Sequence, residues 1–146
     1  MKAYLDTNVF LDLLVKDRPN SISSLIVFES IVHSGGEIFI STQSIIDSYY
    51  IAERQDVNKE EIDNWVAWLL SYANVTKIGW FEFQDALKSG ERDIEDAAQV
   101  ALAKAENCDV FITADAEILA REKDDFLLFI SPKEFIRQST EVPATS

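Results

Sequence analysis

Cysteine, glycine, proline and positive charge are all scarce in this chain of 146 residues. The single cysteine, Cys108, excludes an intramolecular disulfide framework and fits a reducing cytosol. Four glycines and three prolines are few for a loop-rich β protein, and they favour helices joined by short connections. No apolar run approaches the ~18 residues of a membrane span, and the first residues lack an apolar signal core. We therefore expect a cytoplasmic protein that does not associate with membranes.

The acidic residues outnumber the basic ones by two to one. Against 26 Asp and Glu there are 13 Lys and Arg, so the formal net charge is −13. This charge argues against tight, nonspecific binding to nucleic acid or to anionic membranes. With 47% hydrophobic residues the chain can bury a core, and its length suits one domain. We expect that domain over residues 1–137, followed by a flexible C-terminal tail over 138–146, where periodicity is lost.

Short apolar segments alternate with helical patterns along the chain. Strands are predicted at Ala3–Leu5, Ile38–Ile40, Val75–Ile78, Val110–Ile112 and Phe126–Ile130. Helices are predicted at Val9–Val15, Ser21–His33, Ser41–Arg54, Asn58–Tyr72, Phe81–Lys88 and Asp93–Glu106, with two short ones after Asp115 and Pro132. This alternation predicts an α/β fold, a three-layer α/β/α sandwich around a mainly parallel five-stranded sheet. The uniformly apolar strands indicate a sheet covered on both faces.

Two aspartates stand just beyond the ends of predicted strands. Asp6 comes after the first strand and Asp115 after the fourth, and each has a Thr or Asn nearby. If these strands are neighbours, both carboxylates point into the crevice at the carboxyl ends of the strands, where such folds bind ligands. The alternative is that each aspartate caps the helix that follows it. Their occurrence at corresponding strand ends favours a site.

Asp47 lies on the row of its helix that should face inwards, between Ser44 and Ile51. A buried aspartate is costly unless it is paired or bound to a cation. The structural alternative is a salt bridge, but no Lys or Arg occupies that row. We therefore favour a functional role for Asp47, with Ser44 as a supporting polar residue.

Asp93 and Asp96 share one face at the start of a later helix. Val100 and Ala103 continue the row of Asp96, so this carboxylate is also expected to face inwards. Asp93 by itself equally fits an N-cap or a first-turn acid favoured by the helix dipole. Glu95 points elsewhere and is expected to face solvent.

Several carboxylates in one crevice require a counter-charge, because like charges repel strongly where water is partly excluded. Five acids are assigned to this crevice: Asp6, Asp47, Asp93, Asp96 and Asp115. Oxygen ligands without His or Cys indicate Mg²⁺ or Mn²⁺ rather than zinc, with His33 expected at the surface and Cys108 in the core. Such a cation supports phosphodiester hydrolysis and reverses the local charge that would repel nucleic acid. Four bases could contact a nucleic-acid backbone, although most of this scattered set is expected to be solvated surface: Lys16, Arg18, Arg54 and Lys59.

Three segments resemble the PIN domain family, metal-dependent nucleases that include the VapC-type toxins of prokaryotic toxin–antitoxin pairs. They are LDTNVFLDLL near the start, ISTQSIIDSYYI in the second block and RDIEDAAQVALAKAENCDVFITAD towards the end. Their order and spacing carry the resemblance over nearly the whole chain. It implies a PIN-like α/β/α fold, endonucleolytic cleavage of RNA, a Mg²⁺ or Mn²⁺ cofactor, a small antitoxin partner and frequent homodimers.

The resemblance also assigns roles to individual residues. It implies catalytic acids at Asp6, Asp47, Asp96 and Asp115, and metal ligands at Asp6, Asp93, Asp96 and Asp115. The supporting polar residues would be Thr7, Asn8, Ser44 and Thr113. The chain departs from the family pattern at Asp47, where Glu is usual, and at Ala114, where relatives are often basic.

Other functions compete with cleavage. A PIN-like domain could bind RNA or protein without cutting, although Trp65 and Trp68 are expected in the core rather than at an interface. A receiver-like phosphoacceptor domain would use Lys133, but it needs an aspartate after the central strand, where we expect 77–79 (KIG). A phosphatase with a nucleophilic aspartate would need a second acid where Asn8 stands.

Overall fold

Five parallel strands form a single sheet at the centre of the computed structural model, which describes residues 1–140. The strands are β1 (Lys2–Leu5), β2 (Glu37–Ser41), β3 (Ala73–Thr76), β4 (Val110–Ile112) and β5 (Leu128–Ile130). Their order is β3-β2-β1-β4-β5, and every neighbouring pair is parallel. The predicted five-stranded, mainly parallel sheet is therefore confirmed. Because β2 and β4 flank β1 on opposite sides, a topological switch point lies between β1 and β4.

Helices and strands occur along the chain in the predicted order. The helices are α1 (Thr7–Leu14), α2 (Ser21–His33), α3 (Thr42–Arg54), α4 (Lys59–Leu70), α5 (Trp80–Ser89), α6 (Ile94–Ala105), α7 (Ala116–Arg121) and α8 (Pro132–Thr140). Side-chain caps begin α3 and α4, since Ser41 Oγ accepts from the Ser44 amide at 3.0 Å and Asn58 Oδ1 from the Glu61 amide at 2.8 Å. Gly35, with φ +79°, allows the left-handed turn that follows α2.

Side chains alternate across the sheet and build two cores. On one face Ala3, Leu5, Ile38, Ile40 and Ile112 belong to a cluster with buried residues of α1, α2, α3 and α4. On the other face Tyr4, Phe39 and Phe111 pack with residues of α6, against which α5 lies. The three-layer α/β/α sandwich is thus confirmed, and the two covered faces explain why the central strands are apolar at every position.

Most predicted elements differ from the structure by one or two residues at an end, such as the fifth strand, which begins at Leu128 rather than Phe126. The third strand lies at Ala73–Thr76 rather than Val75–Ile78, and as an edge strand it leaves Asn74 and Val75 exposed, so its apolar pattern is interrupted. At the other end, α8 continues to Thr140, so residues 138–140 are helical rather than part of a tail. The remainder of the predicted tail, 141–146, lies outside the described residues.

The strand order also corrects the argument made against a receiver-like domain. The segment 77–79 follows edge strand β3, whereas the central strand is β1, which Asp6 follows directly. The order found here differs from the 2-1-3-4-5 order of receiver-type folds, and this difference excludes that reading. No helix within residues 1–140 is long and apolar enough to cross a membrane.

Candidate active site

A cavity of about 780 Å³ opens at the carboxyl edge of the sheet, beside the switch point between β1 and β4. Its lining includes four of the five predicted acids: Asp6, Asp47, Asp96 and Asp115. They are contributed by the ends of β1 and β4 and by helices α3 and α6. The parallel pairing of β1 with β4 brings Asp6 and Asp115 to the same edge, as predicted.

Asp6 is the most constrained of these carboxylates. It is 4% exposed, and its Oδ1 accepts from the Thr7 amide at 2.8 Å, which caps α1. Its Oδ2 accepts from Thr113 Oγ1 at 2.7 Å and from Asn8 Nδ2 at 3.0 Å. Burial raises the pKa of Asp6 and the charge of Asp115 adds to this, while the three donors oppose the rise. The side chain is therefore fixed in orientation while its charge remains poorly compensated.

Asn8 and Thr113 connect Asp6 to the end of β4. The Asn8 side chain donates from Nδ2 to Thr113 Oγ1 at 3.2 Å and accepts from the Ala114 amide at its Oδ1 at 3.0 Å. Thr113 Oγ1 in turn accepts from the Asp115 amide at 3.0 Å. Asp115 Oδ1 caps α7 by accepting from the Glu117 amide at 2.8 Å. Both strand-end aspartates are thus helix caps and cavity residues together.

Asp47 reaches the cavity from α3 and is half-buried. Gln43 Nε2 donates to both of its carboxylate oxygens, at 3.1 and 3.2 Å. Within residues 1–140 it makes no salt bridge, so the structural alternative considered for it is absent there. Glu95 is exposed, as expected, and it also lines the cavity. Burial and the neighbouring charge of Asp47 raise the pKa of Glu95.

The two predicted acids of α6 occupy different positions. Asp96 lines the cavity, and burial together with the charges of Asp93, Asp6 and Asp115 raises its pKa to about 7. Asp93 is exposed, is not among the lining residues and caps α6 by accepting from the Asp96 amide at 3.1 Å. The structure therefore brings Asp96 to the other acids and gives Asp93 its alternative role as a cap.

Gln99, which sequence reasoning missed, forms the buried floor beneath the acids. Its Oε1 accepts from Tyr4 and Ser44 hydroxyls at 3.1 Å each, and its Nε2 donates to Thr7 Oγ1 at 3.1 Å. Thr7 and Ser44 are themselves hydrogen-bonded at 2.7 Å. This network joins α1, α3 and α6. Its sequence signal was a lone polar residue inside the apolar run 97–103 (AAQVALA).

The donor set of the cavity suits a hard divalent cation. Its acids offer only oxygen ligands, and none of them makes a salt bridge within residues 1–140. Burial, together with the charges of neighbouring carboxylates, raises the pKa values of Asp6, Glu95 and Asp96, as is expected for grouped acids without a counter-charge. In the described part of the chain, no group of three His, Cys, Asp or Glu side chains is already closed around one ion position. The acids are therefore assembled in one cavity, and binding would require them to converge further.

The basic residues considered from the sequence divide into two groups. Arg18 and Arg54 line the cavity. Lys16 and Lys59 lie outside its lining, where Lys16 approaches the ring of Trp65 and Lys59 pairs with Asp63 at 2.8 Å. Only the two arginines are therefore placed to meet a ligand in the cavity.

Comparisons with known proteins identify the family of this arrangement. Residues 3–124 match the PIN domain. The chain belongs to the PIN domain family. The resemblance drawn from its three sequence segments is confirmed, and each segment contributes a residue to the cavity: Asp6, Asp47 and Asp96.

Among PIN domain relatives, ribonuclease VapC1 from Aquifex aeolicus (strain VF5) is 25% identical over 134 residues, covering 84% of this chain and 92% of that protein. Two solved structures share the fold. VapC20 from Mycobacterium tuberculosis, a toxin that cleaves the sarcin-ricin loop, has a TM-score of 0.65 at 12% identity over 84% of this chain and 97% of that one. VapBC2 from Rickettsia felis, bound to a DNA fragment from its promoter, has a TM-score of 0.64 at 17% identity over 90% and 98%.

The remaining aromatic and cysteine predictions are partly confirmed. Cys108 is buried, and burial raises the pKa of its thiol to about 12, so it is an unreactive core residue at neutral pH. Trp65 is half-buried against the larger core cluster, as expected. Trp68 differs from the expectation because 37% of it remains exposed.

Proposed function

We propose that this PIN domain protein is a VapC-type endoribonuclease that hydrolyses RNA phosphodiester bonds with Mg²⁺ or Mn²⁺. We further propose that it is the toxin of a toxin–antitoxin pair. The observation that carries the proposal is the meeting of Asp6, Asp47, Asp96 and Asp115 in one cavity at the switch point of the sheet. The likeness to ribonuclease VapC1 supports the same chemistry.

The residues of the cavity suit distinct tasks in hydrolysis. Asp6, Asp96 and Asp115 would hold the cation, with Asp93 as an accessory ligand only if its side chain leaves its capping position. A bound divalent cation supplies positive charge that offsets the phosphate and makes water more acidic. Thr113 and Asn8 orient Asp6 through its Oδ2. Asp47, held by Gln43, would act as a further ligand or accept a proton from the attacking water at a carboxylate oxygen.

The proposal is tested by cleavage of a pooled RNA in the presence of Mg²⁺, Mn²⁺ or EDTA. We expect cleavage with either cation and none with EDTA. The variant Asp6→Asn keeps a good N-cap for α1 but removes the charge. Because it alters a proposed ligand itself, we expect the cleavage rate to fall by more than the ~10–100-fold that is typical when a residue that only orients a ligand is lost. Glu117→Gln is the matched control, since Glu117 is exposed and lies outside the cavity lining.

Two outcomes would contradict this function. Cleavage that persists in EDTA and in Asp6→Asn would show that the carboxylates and their cation are not the catalyst. RNA binding without cleavage under every metal condition would instead favour the PIN-like binding module.

An antitoxin partner and a homodimer are part of the same proposal. Exposed apolar side chains on α5 support a protein–protein interface outside the cavity, since Trp80 is 67% exposed and Phe81 is 74% exposed. The net charge of −13 favours a partner segment rich in Lys and Arg.

Light scattering should give twice the chain mass for the protein alone. Co-expression with the small protein encoded by a neighbouring gene should yield a complex that suppresses cleavage, and a monomer that forms no such complex would contradict both assignments.

A further inference from the structure

An ion pair with a buried carboxylate and a partly exposed guanidinium lies at the opposite end of α1 from Asp6. Asp12, the one charged residue within α1, is 2% exposed. Its Oδ1 accepts from Arg18 Nε at 2.7 Å, and its Oδ2 accepts from Ser24 Oγ at 2.7 Å. Both carboxylate oxygens are thus occupied by protein donors, so Asp12 holds Arg18 rather than facing the cavity itself.

Arg18 lines the same cavity as the four predicted acids. Its bond to Asp12 uses Nε, and within residues 1–140 its two terminal Nη groups donate to no protein acceptor. A guanidinium held at Nε keeps a planar pair of donors that matches the oxygens of a phosphate. Arg54 lines the cavity too and makes no salt bridge in the described part of the chain. These two arginines are the basic residues of a lining that is otherwise acidic, polar or apolar.

We propose that Arg18 binds a backbone phosphate of the RNA and that Asp12 is its positioning residue. This inference rests on the proposed function and adds a substrate contact to it. Stability alone is a weak reason for the pair, because a buried ion pair is often no more stable than a well-packed apolar replacement, and α1 is otherwise apolar from Val9 to Leu14. The buried carboxylate instead fixes the direction of the guanidinium, which reduces the conformational entropy lost when the phosphate binds.

The position of Arg18 distinguishes its phosphate from the one that is cleaved. Asp6 precedes α1 and Arg18 follows it, and the eight residues of this helix span about 12 Å. Since Asp6 and Arg18 line one cavity from opposite ends of this helix, we expect the acids and Arg18 to contact different parts of one ligand strand. The substrate that satisfies both must continue past the cleaved bond, which fits an RNA strand and not a single nucleotide.

The test measures RNA binding in an Asp6→Asn background and steady-state cleavage in the native one, both with a fluorescently labelled pooled RNA. Arg18→Gln keeps an amide that can still donate to Asp12, so the buried carboxylate is not left unpaired. We expect the Kd and the KM to rise about tenfold, with kcat nearly unchanged. The slope of log Kd against log salt concentration should decrease by about one, because one phosphate contact is lost. Lys16→Gln removes the same charge from an exposed residue outside the cavity and should leave the Kd, the KM and the salt slope unchanged.

A double-mutant cycle tests the positioning role of Asp12. Asp12→Asn should raise the KM in the native background but have no further effect in Arg18→Gln, since its action passes through Arg18. Arg18→Lys, which keeps the charge without the planar fork, should recover only part of the lost affinity. If the pair is purely structural, the variants that break it should instead lower the melting temperature without changing the KM or the salt slope.

The outcomes separate this inference from the proposed function. A parental KM and salt slope in a folded Arg18→Gln variant would overturn the phosphate contact, and so would additive effects in the cycle. If the native protein cleaves nothing but Arg18→Gln still weakens RNA binding, the proposed function fails and the contact stands. If neither the native protein nor any variant binds RNA, both are overturned.

Discussion

At the residue scale, the strand-end aspartates show that capping and participation in a site are compatible. Asp6 uses Oδ1 to cap α1 and Oδ2 to meet Thr113 and Asn8. Asp115 caps α7 with Oδ1 and still lines the cavity. The two interpretations offered by the sequence were therefore not exclusive. A cap fixes the carboxylate that the site requires, at little cost to the helix it begins.

Thr113 provides the first prediction, because its hydroxyl donates to Asp6 Oδ2 and accepts from the Asp115 amide. Thr113→Val keeps the shape of the side chain but removes both of these bonds and the one that Asn8 Nδ2 donates to the hydroxyl. We expect the rate of RNA cleavage to fall ~10–100-fold, as is typical when a partner that orients a ligand is lost. Thr113→Ser, which keeps the hydroxyl, should stay close to the parent. Equal rates in the two variants would show that this hydroxyl does not orient the site.

Asp93 and Asp96 provide a second prediction, since only Asp96 lines the cavity. Asp93→Asn retains a side-chain oxygen that can cap α6, so cleavage should change less than ~10-fold. Asp96→Asn should remove nearly all activity. Cleavage assays across a Mg²⁺ series measure both variants. A large rise in the Mg²⁺ concentration required by Asp93→Asn would establish it as an accessory ligand after all.

At the scale of elements, α6 shows what the sequence could and could not predict. The row of Asp96, Val100 and Ala103 was identified correctly, and the latter two pack in the core. The buried position of Gln99, which is 1% exposed, was missed, because the neighbouring turn of this row carries the exposed Glu95. A Glu and a Gln four residues apart are ordinary on a solvated helix face. Hydrogen bonds from Gln99 to Tyr4, Thr7 and Ser44, which are distant in sequence, fix this side chain at the cavity, and no local pattern records them.

The buried Gln99 network gives the third prediction. Gln99→Leu has a similar volume but leaves the Tyr4, Thr7 and Ser44 hydroxyls without their shared partner. An unsatisfied buried polar group costs ~1–3 kcal/mol, so we expect the free energy of unfolding to fall by about that amount or more. Urea denaturation measures the change. Gln138→Leu, at an exposed position of α8, should be nearly neutral, and an equally small effect at Gln99 would contradict a structural role for the network.

At the scale of the whole molecule, the number and type of strands were predictable but their order was not. Each strand has a local apolar signal, whereas the pairing of β1 with β4 joins segments more than ~100 residues apart, which no local pattern records. The error over which strand is central followed from this. The sequence alone therefore could not establish that Asp6 lies near Asp115. The predicted position of the crevice depended on that proximity, and so on the strand order.

The charge distribution of the molecule gives the last prediction, which couples stability to pH and to cations. In the folded state the pKa of Asp96 is about 7 instead of 3.8, and those of Glu95 and Asp6 are also raised. Between about pH 4 and pH 7 these three carboxyls thus bind more protons in the folded protein than in the unfolded chain, and their contribution to the free energy of unfolding falls as pH rises through that range.

A divalent cation held by these carboxylates should reverse that loss. We expect Mg²⁺ to raise the melting temperature clearly near pH 8, where the acids are charged, and much less near pH 5, where protons already neutralise part of them. Sodium chloride at equal ionic strength controls for general screening, and Asp6→Asn should reduce the effect of Mg²⁺. An increase of the same size at both pH values, or with sodium alone, would mean that the excess acids are merely a solvated surface. A pH-dependent, Asp6-dependent increase would locate that stabilisation in the cavity, because surface carboxylates with ordinary pKa values are already charged near pH 5.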